Sequence, residues 1–184
     1  MNKAFSFAAL ASLAEARMSF GACPAVDYVE NLDMTAYSGK WYEIEADPMF
    51  PFTMGTDCLF KEFTMKPNDE QDMDLWFGGW NLMMGGYFGV DGKMWCDPSM
   101  DKTCEATMGS GDNKSPFGIL ATDYSTYDIG YVCMQMVDSL GLLVKADFYL
   151  IYGREATMSD EKLNEARDII REKVPEYNYD WQLH

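Results

Sequence analysis

Histidine is almost absent: the only one, His184, is the last of 184 residues. A histidine-held metal, a haem with an axial histidine and a serine–histidine–aspartate triad each need an imidazole inside a folded site, and a terminal residue does not offer one. The five cysteines form no Cys-x-x-Cys pair, which argues against zinc-ribbon and thioredoxin-type readings. Positive charge is scarce, with 14 Lys and Arg against 30 Asp and Glu and a net charge of -16. That balance argues against nucleic acid and against an anionic membrane surface as partners. Beyond the first residues no apolar run is long enough to cross a bilayer as a helix. There is no internal repeat, no low-complexity segment and no linker that would split the domain.

What remains is an aromatic and methionine-rich globular chain. Hydrophobic residues make up 48%, aromatics 15%, and there are 15 methionines. The length suits one domain with a real core. Methionine packs irregular space and suits adaptable apolar surfaces, although it can equally replace leucine throughout a core. Lys3, the apolar run Ala4 to Leu13 and the small-x-small site Ala14-Glu15-Ala16 predict an export signal over residues 1–16, or 1–22 if cleavage follows Ala22. The mature domain is then residues 23–184, in a secreted or otherwise exported compartment. Cysteines Cys23, Cys58, Cys96, Cys104 and Cys133 fit such an oxidising place, and their odd number leaves one unpaired or paired between molecules.

Period-two alternation predicts short strands over 40–47, 57–66, 74–80, 82–90, 93–96, 103–108, 117–124, 127–137 and 144–153. Asp91-Gly92 is read as a hairpin turn. The loop Pro48 to Gly55 holds two prolines yet is strongly apolar, so it must cover or line something. Ser159 is an N-cap, Asp160 and Glu161 favour the helix dipole, and Leu163, Ala166, Ile169, Ile170 and Val174 form one apolar stripe that Pro175 ends. Many short strands, glycines that let a sheet curl, and one late helix predict a closed antiparallel barrel or a sandwich. In the stretch Gly39 to Glu45, alternation puts Trp41, Glu43 and Glu45 on one face. Lys61 falls on the same inward set. It either pairs with one of those glutamates inside or reaches water where its strand leaves the barrel.

Three separated stretches resemble the signatures of the lipocalin family, and within it most the apolipoprotein D and bacterial branches. They are Gly39-Lys40-Trp41, Thr122-Asp123-Tyr124, and Arg154 just before the helix. The resemblance implies an all-β fold: an eight-stranded antiparallel up-and-down barrel with one C-terminal α-helix packed outside. It implies that Trp41 sits at the closed end with Arg154 across it, that Gly39, Thr122, Asp123 and Tyr124 frame that end, and that these residues are structural. It further implies a Cys23–Cys133 disulfide. The family's partner for Cys58 is missing, so Cys58 may join Cys96 or Cys104, or those two may join each other.

The function implied is a non-catalytic carrier for a small hydrophobic molecule such as a lipid, sterol, retinoid or pigment, with no cofactor and no metal. Alternation selects Leu59, Phe63 and Met65 on one strand and Phe148, Leu150 and Tyr152 on another as ligand contacts, and Phe50 and Phe52 from the apolar loop. Two alternatives remain at this point. One is an enzyme on the same barrel using the leftover thiol. The other is a structural subunit of a pigment- or membrane-associated assembly, with a protein or membrane-associated partner.

Overall fold

A computed structural model describes residues 18–48, 50, 53–67, 69–96, 104–109, 114–137 and 140–177, without the side chains of 18 and 69–71. The export signal predicted over 1–16 therefore lies outside the described residues, whereas the longer bound of 1–22 takes in the described residues 18–22. In chain order the elements are β1 (Met18–Phe20), α1 (Met34–Tyr37), β2 (Gly39–Ala46), β3 (Thr56–Lys66), β4 (Asp69–Asn81), β5 (Gly86–Trp95), β6 (Cys104–Met108), β7 (Ser115–Phe117), β8 (Ile119–Thr122), β9 (Tyr127–Val137), β10 (Leu143–Gly153) and α2 (Asp160–Lys173). The described residues fall into two compact units. One holds those up to Ala25 together with Cys133–Asp147; the other holds Val26–Val132 and those from Phe148 onward.

The larger unit is a nearly closed antiparallel barrel. The sheet runs β7-β6-β5-β4-β3-β2-β10-β9-β8. Its two ends are one chain segment: β7 pairs with β6, β8 pairs with β9, and only Gly118 separates them. Taken as a single strand bent at Gly118, they bring the barrel to the expected eight strands, and the ring leaves no long free edge. The bend has a cause. A Cβ on Gly118 would lie 2.2 Å from Cε1 of Tyr28, so the tyrosine ring occupies the space a side chain would need.

One turn differs from expectation. Asp91-Gly92 lies inside β5, and the hairpin turns at residues 82–85 instead. The amide of Met84 donates to Asn81 Oδ1 at 2.8 Å, and Gly85 takes φ +62°. Asn81 thus supplies the turn chemistry that Asp91 was expected to supply. Gly92 has a packing role, since a Cβ there would sit 2.2 Å from the carbonyl oxygen of Thr107. Gly78 and Gly89 make room for Trp76 on the outer face, where Cβ atoms would lie 2.5 and 2.4 Å from its ring. Trp76 stacks beside Phe60 at 4.7 Å and walls a shallow outer groove of about 390 Å³. The aromatic pair covers sheet backbone that the glycines leave bare.

Helix α2 forms as its sequence dictates. Ser159 accepts from the amide of Lys162 at 3.3 Å, Asp160 and Glu161 occupy the first turn, and Arg171 and Lys173 the last. Ala166 and Ile170 are its buried residues, and Val174 and Tyr177 continue the seal. Lys173 donates to the carbonyl of Leu120 at 2.9 Å, and Tyr177 meets the rings of Tyr131 and Tyr149 edge-on. The helix end therefore covers the outward faces of β8, β9 and β10.

In the smaller unit β1 pairs with β10, Met18 opposite Ala146 and Phe20 opposite Val144. A Cys23–Cys133 disulfide spans 110 residues of sequence. Closing so long a loop removes on the order of 4–5 kcal/mol of chain entropy from the unfolded state. Cys96 and Cys104 form the second disulfide, and Cys58 is free and exposed.

Replacing Gly118 with alanine should cost roughly 1–3 kcal/mol, because Tyr28 must be displaced. Urea unfolding followed by tryptophan fluorescence should show this loss. Gly118→Ala combined with Tyr28→Ala should cost less than the sum of the two single changes, since the second removes the clash.

Candidate functional site

The barrel floor is built on Trp41. Its side chain is fully buried, and its indole N–H donates to the carbonyl of Tyr37 at 2.9 Å. The Arg154 guanidinium lies 3.7 Å from the centre of its ring. That cation also donates to the carbonyls of Ala36, Ser38 and Tyr124 at 2.7, 2.9 and 2.9 Å. One planar donor thus ties the α1 segment, the start of β2 and the β8–β9 turn together. Gly39 takes φ +95°, and a Cβ there would come within 3.3 Å of the guanidinium. In the turn, Asp123 accepts from the amides of Ser125, Thr126 and Tyr127. Burial raises the Asp123 pKa, but those N–H groups outweigh it and hold it below the usual value. Thr122 Oγ1 accepts from the amide of Tyr124 at 3.0 Å and donates to the carbonyl of Tyr127 at 2.8 Å. All six signature residues meet at this end.

Above the floor sits a buried ion pair. Lys61 and Asp128 are 4% and 0% exposed, and Lys61 Nζ reaches Asp128 Oδ2 at 2.5 Å. The Tyr37 hydroxyl donates to the same oxygen at 2.9 Å, and Lys61 also donates to that hydroxyl at 3.2 Å. The ammonium lies among the rings of Tyr37, Phe63, Phe117 and Tyr152, with Tyr152 nearest at 3.9 Å from its centre. Burial pulls the Lys61 pKa down, and the Asp128 carboxylate opposes it. Aromatic faces and one carboxylate replace the water this cation has lost.

The expected partner of Lys61 is therefore corrected. Neither Glu43 nor Glu45 forms its ion pair. Glu43 does face inward, hydrogen-bonded to Tyr152 and within electrostatic reach of Lys61. Burial pushes its carboxyl up to about 7 against those two influences, and its Oε2 is buried with no hydrogen-bond partner. Glu45 faces outward. Tyr152 pairs with Glu43 and Ile151 with Glu45, so Ile44 is an extra residue, a β-bulge. The bulge turns the next side chain to the other face. Glu45 there accepts from Arg167 of α2 and from the Tyr149 hydroxyl at 3.1 Å. Alternation alone could not reveal the bulge. Asp128 and Tyr37 were missed altogether. The signal for Asp128 was present: a carboxylate alternating against Ile129 and Tyr131, which are 0% and 1% exposed on the helix side.

The interior changes character along its length. Phe63, Leu150 and Tyr152 belong to the buried floor with Tyr37, Trp41 and Met73, and Met65 packs beside them. Leu59 and Phe148 are also buried. Phe50 stacks against Phe148 at 5.5 Å, whereas Phe52 lies outside the described residues. On β5 the register that buries Met94 also turns Val90 and Phe88 inward, yet both stay only half-covered. Phe77, opposite Val90 on β4, is buried. Neighbouring side chains thus fill the floor and leave apolar surface bare toward residues 82–87. Phe88 and Val90 are not among the expected contacts, because the register of that glycine-rich strand is unreadable from sequence and a one-residue slip inverts its face.

No family model matches the chain. It is 27% identical to the bilin-binding protein of Pieris brassicae over 144 residues, covering 77% of this chain and 71% of that protein. It is 28% identical to apolipoprotein D of Cavia porcellus over 156 residues, covering 82% and 76%. Among solved structures, lobster apocrustacyanin A1 superposes with a TM-score of 0.70 at 21% identity, with 86% of each chain covered. That last likeness is one of fold.

Two consequences can be measured by chemical denaturation. Lys61→Met leaves Asp128 charged and buried, so it should cost about 3–5 kcal/mol, and adding Asp128→Asn should restore most of the loss. Glu43 titrates at about 7 in the folded chain, above its ordinary 4.5. Between those values the folded chain holds a proton that the unfolded chain releases, so this site favours folding less and less as pH rises, and the penalty is complete above about pH 7. Glu43→Gln should therefore be more stable than the parent at pH 8, by on the order of 1–3 kcal/mol, with the gain gone at pH 4.

Proposed function

Because the chain belongs to the lipocalin family, we propose that it is a non-catalytic carrier that holds one small hydrophobic molecule inside the barrel. The observation that carries this reading is the change along the interior. The floor is closed by packed rings and a neutralised ion pair, while Phe88 and Val90 keep apolar surface uncovered above it. A ligand that covers such surface gains about 25 cal/mol per Å² removed from water. Leu59, Phe148 and Phe50 are the proposed contacts, with Phe52 joining them. Phe63, Met65, Leu150 and Tyr152 form the base on which the ligand rests. The name of the bilin-binding relative supports a linear tetrapyrrole among the candidate guests. Two disulfides support export to an oxidising compartment.

The thiol-enzyme alternative finds no support in Cys58. It is exposed, and the neighbouring Asp57 carboxylate raises its thiol pKa, so the reactive thiolate is disfavoured.

Titration of the protein with a linear tetrapyrrole, a retinoid and a long-chain fatty acid should show saturable tryptophan quenching at one per chain for at least one of them. Phe148→Ala should weaken that ligand by roughly tenfold through lost apolar contact. No saturable quenching by any of the three would count against the carrier reading.

A further inference from the structure

In a chain that is 24% charged, residues 48–56 and 76–90 contain no Asp, Glu, Lys or Arg. The fold brings parts of these two stretches together. The amide of Leu82 donates to the carbonyl of Gly55 at 3.0 Å, so the β4–β5 hairpin is joined to the loop that precedes β3. The hairpin is well formed: Asn81 accepts from the amides of Met84 and Gly85 at 2.8 and 2.9 Å, and Trp80 and Tyr87 meet edge-on at 4.9 Å. Yet it buries little of its apolar surface. Met54, Leu82, Met83, Met84 and Tyr87 are 57, 59, 91, 74 and 80% exposed. Exposed apolar groups gathered at one place and held in a fixed frame mark a surface that meets something.

We infer that this rim docks on an electrically neutral lipid surface, such as a zwitterionic membrane. Three features select that occupant. Met54, Leu82, Met83, Met84 and Tyr87 carry no charge to set a register with a protein, with the exposed Asp57 opposite Trp80 at their border, and the unbranched methionines suit a fluid partner without fixed shape. Tyr87 beside Trp80 provides amphipathic rings of the kind that settle at a lipid–water boundary. The net charge of -16 makes anionic headgroups repel the rest of the molecule, so the attraction is apolar and favours neutral lipid. Phe88 and Val90, the half-covered interior residues, follow directly on the rim. If the barrel carries an apolar guest, docking would let that guest pass from lipid to barrel without crossing water; the docking itself does not depend on a guest.

The test is flotation of the full chain with vesicles of phosphatidylcholine. The chain should float with them, and less so when phosphatidylserine is added. Met83→Asp combined with Met84→Asp, at two exposed positions, should lower the bound fraction at least about tenfold. Asn164→Asp adds a charge on α2 and should leave binding unchanged. The inference is overturned if the parent chain stays behind with neutral vesicles, or if the double variant floats as well as the parent. It is also overturned if the parent forms a dimer that the variant abolishes while neither binds vesicles, which would assign the rim to a second copy. Ligand quenching measured without vesicles should survive in the double variant. Its absence in both proteins would reject the carrier reading and leave the docking result standing.

Discussion

Arg154 ties three chain segments together at one end of the barrel. One guanidinium covers the face of Trp41 and satisfies carbonyls from three segments that are far apart in sequence. Those carbonyls belong to the α1 segment, to its junction with β2 and to the β8–β9 turn, beyond the strand ladders, so no neighbouring strand receives them. With the floor fixed in this way, α1 places Tyr37 under the interior. Tyr37 then hydrogen-bonds Asp128, and Asp128 neutralises Lys61. Each step depends on the one below it.

The ion pair gives the interior its division. A lysine inside an apolar barrel is tolerated only with a carboxylate and ring faces around it. That enclosure is part of the packed cluster of Tyr37, Trp41, Phe63, Met73 and Tyr152. The guest proposed above is therefore assigned to the other part of the barrel, where β5 leaves Phe88 and Val90 half-covered. Glu43 stands near this division, and its proton is held to about pH 7. A group that changes charge at that pH inside the barrel links its protonation to the stability of the fold.

The frame was legible in the sequence because it is made of local signals. Gly39 and Trp41, Thr122 to Tyr124, and the cap and stripe of α2 each act over a few residues, and all appear where their spacing puts them. The Cys23–Cys133 bridge came from family likeness and is present. What escaped was set by single-residue geometry or by distant partners. An extra residue at Ile44 sends Glu45 to the outer face, and no local signal announces it. Asp91-Gly92 has turn chemistry, but the sheet needed Gly92 for close approach to Thr107, and Asn81 supplied the turn. Lys61 and Asp128 are 67 residues apart, and only closure of the barrel makes them neighbours.

The barrel proposed here is closed below and open above to one apolar molecule. Native mass spectrometry of the protein isolated from its own source, with organic extraction of whatever is bound, tests it most directly. One small apolar molecule should accompany each folded chain and be released on unfolding. A chain that always flies bare, and stays bare after incubation with apolar ligands, would contradict it.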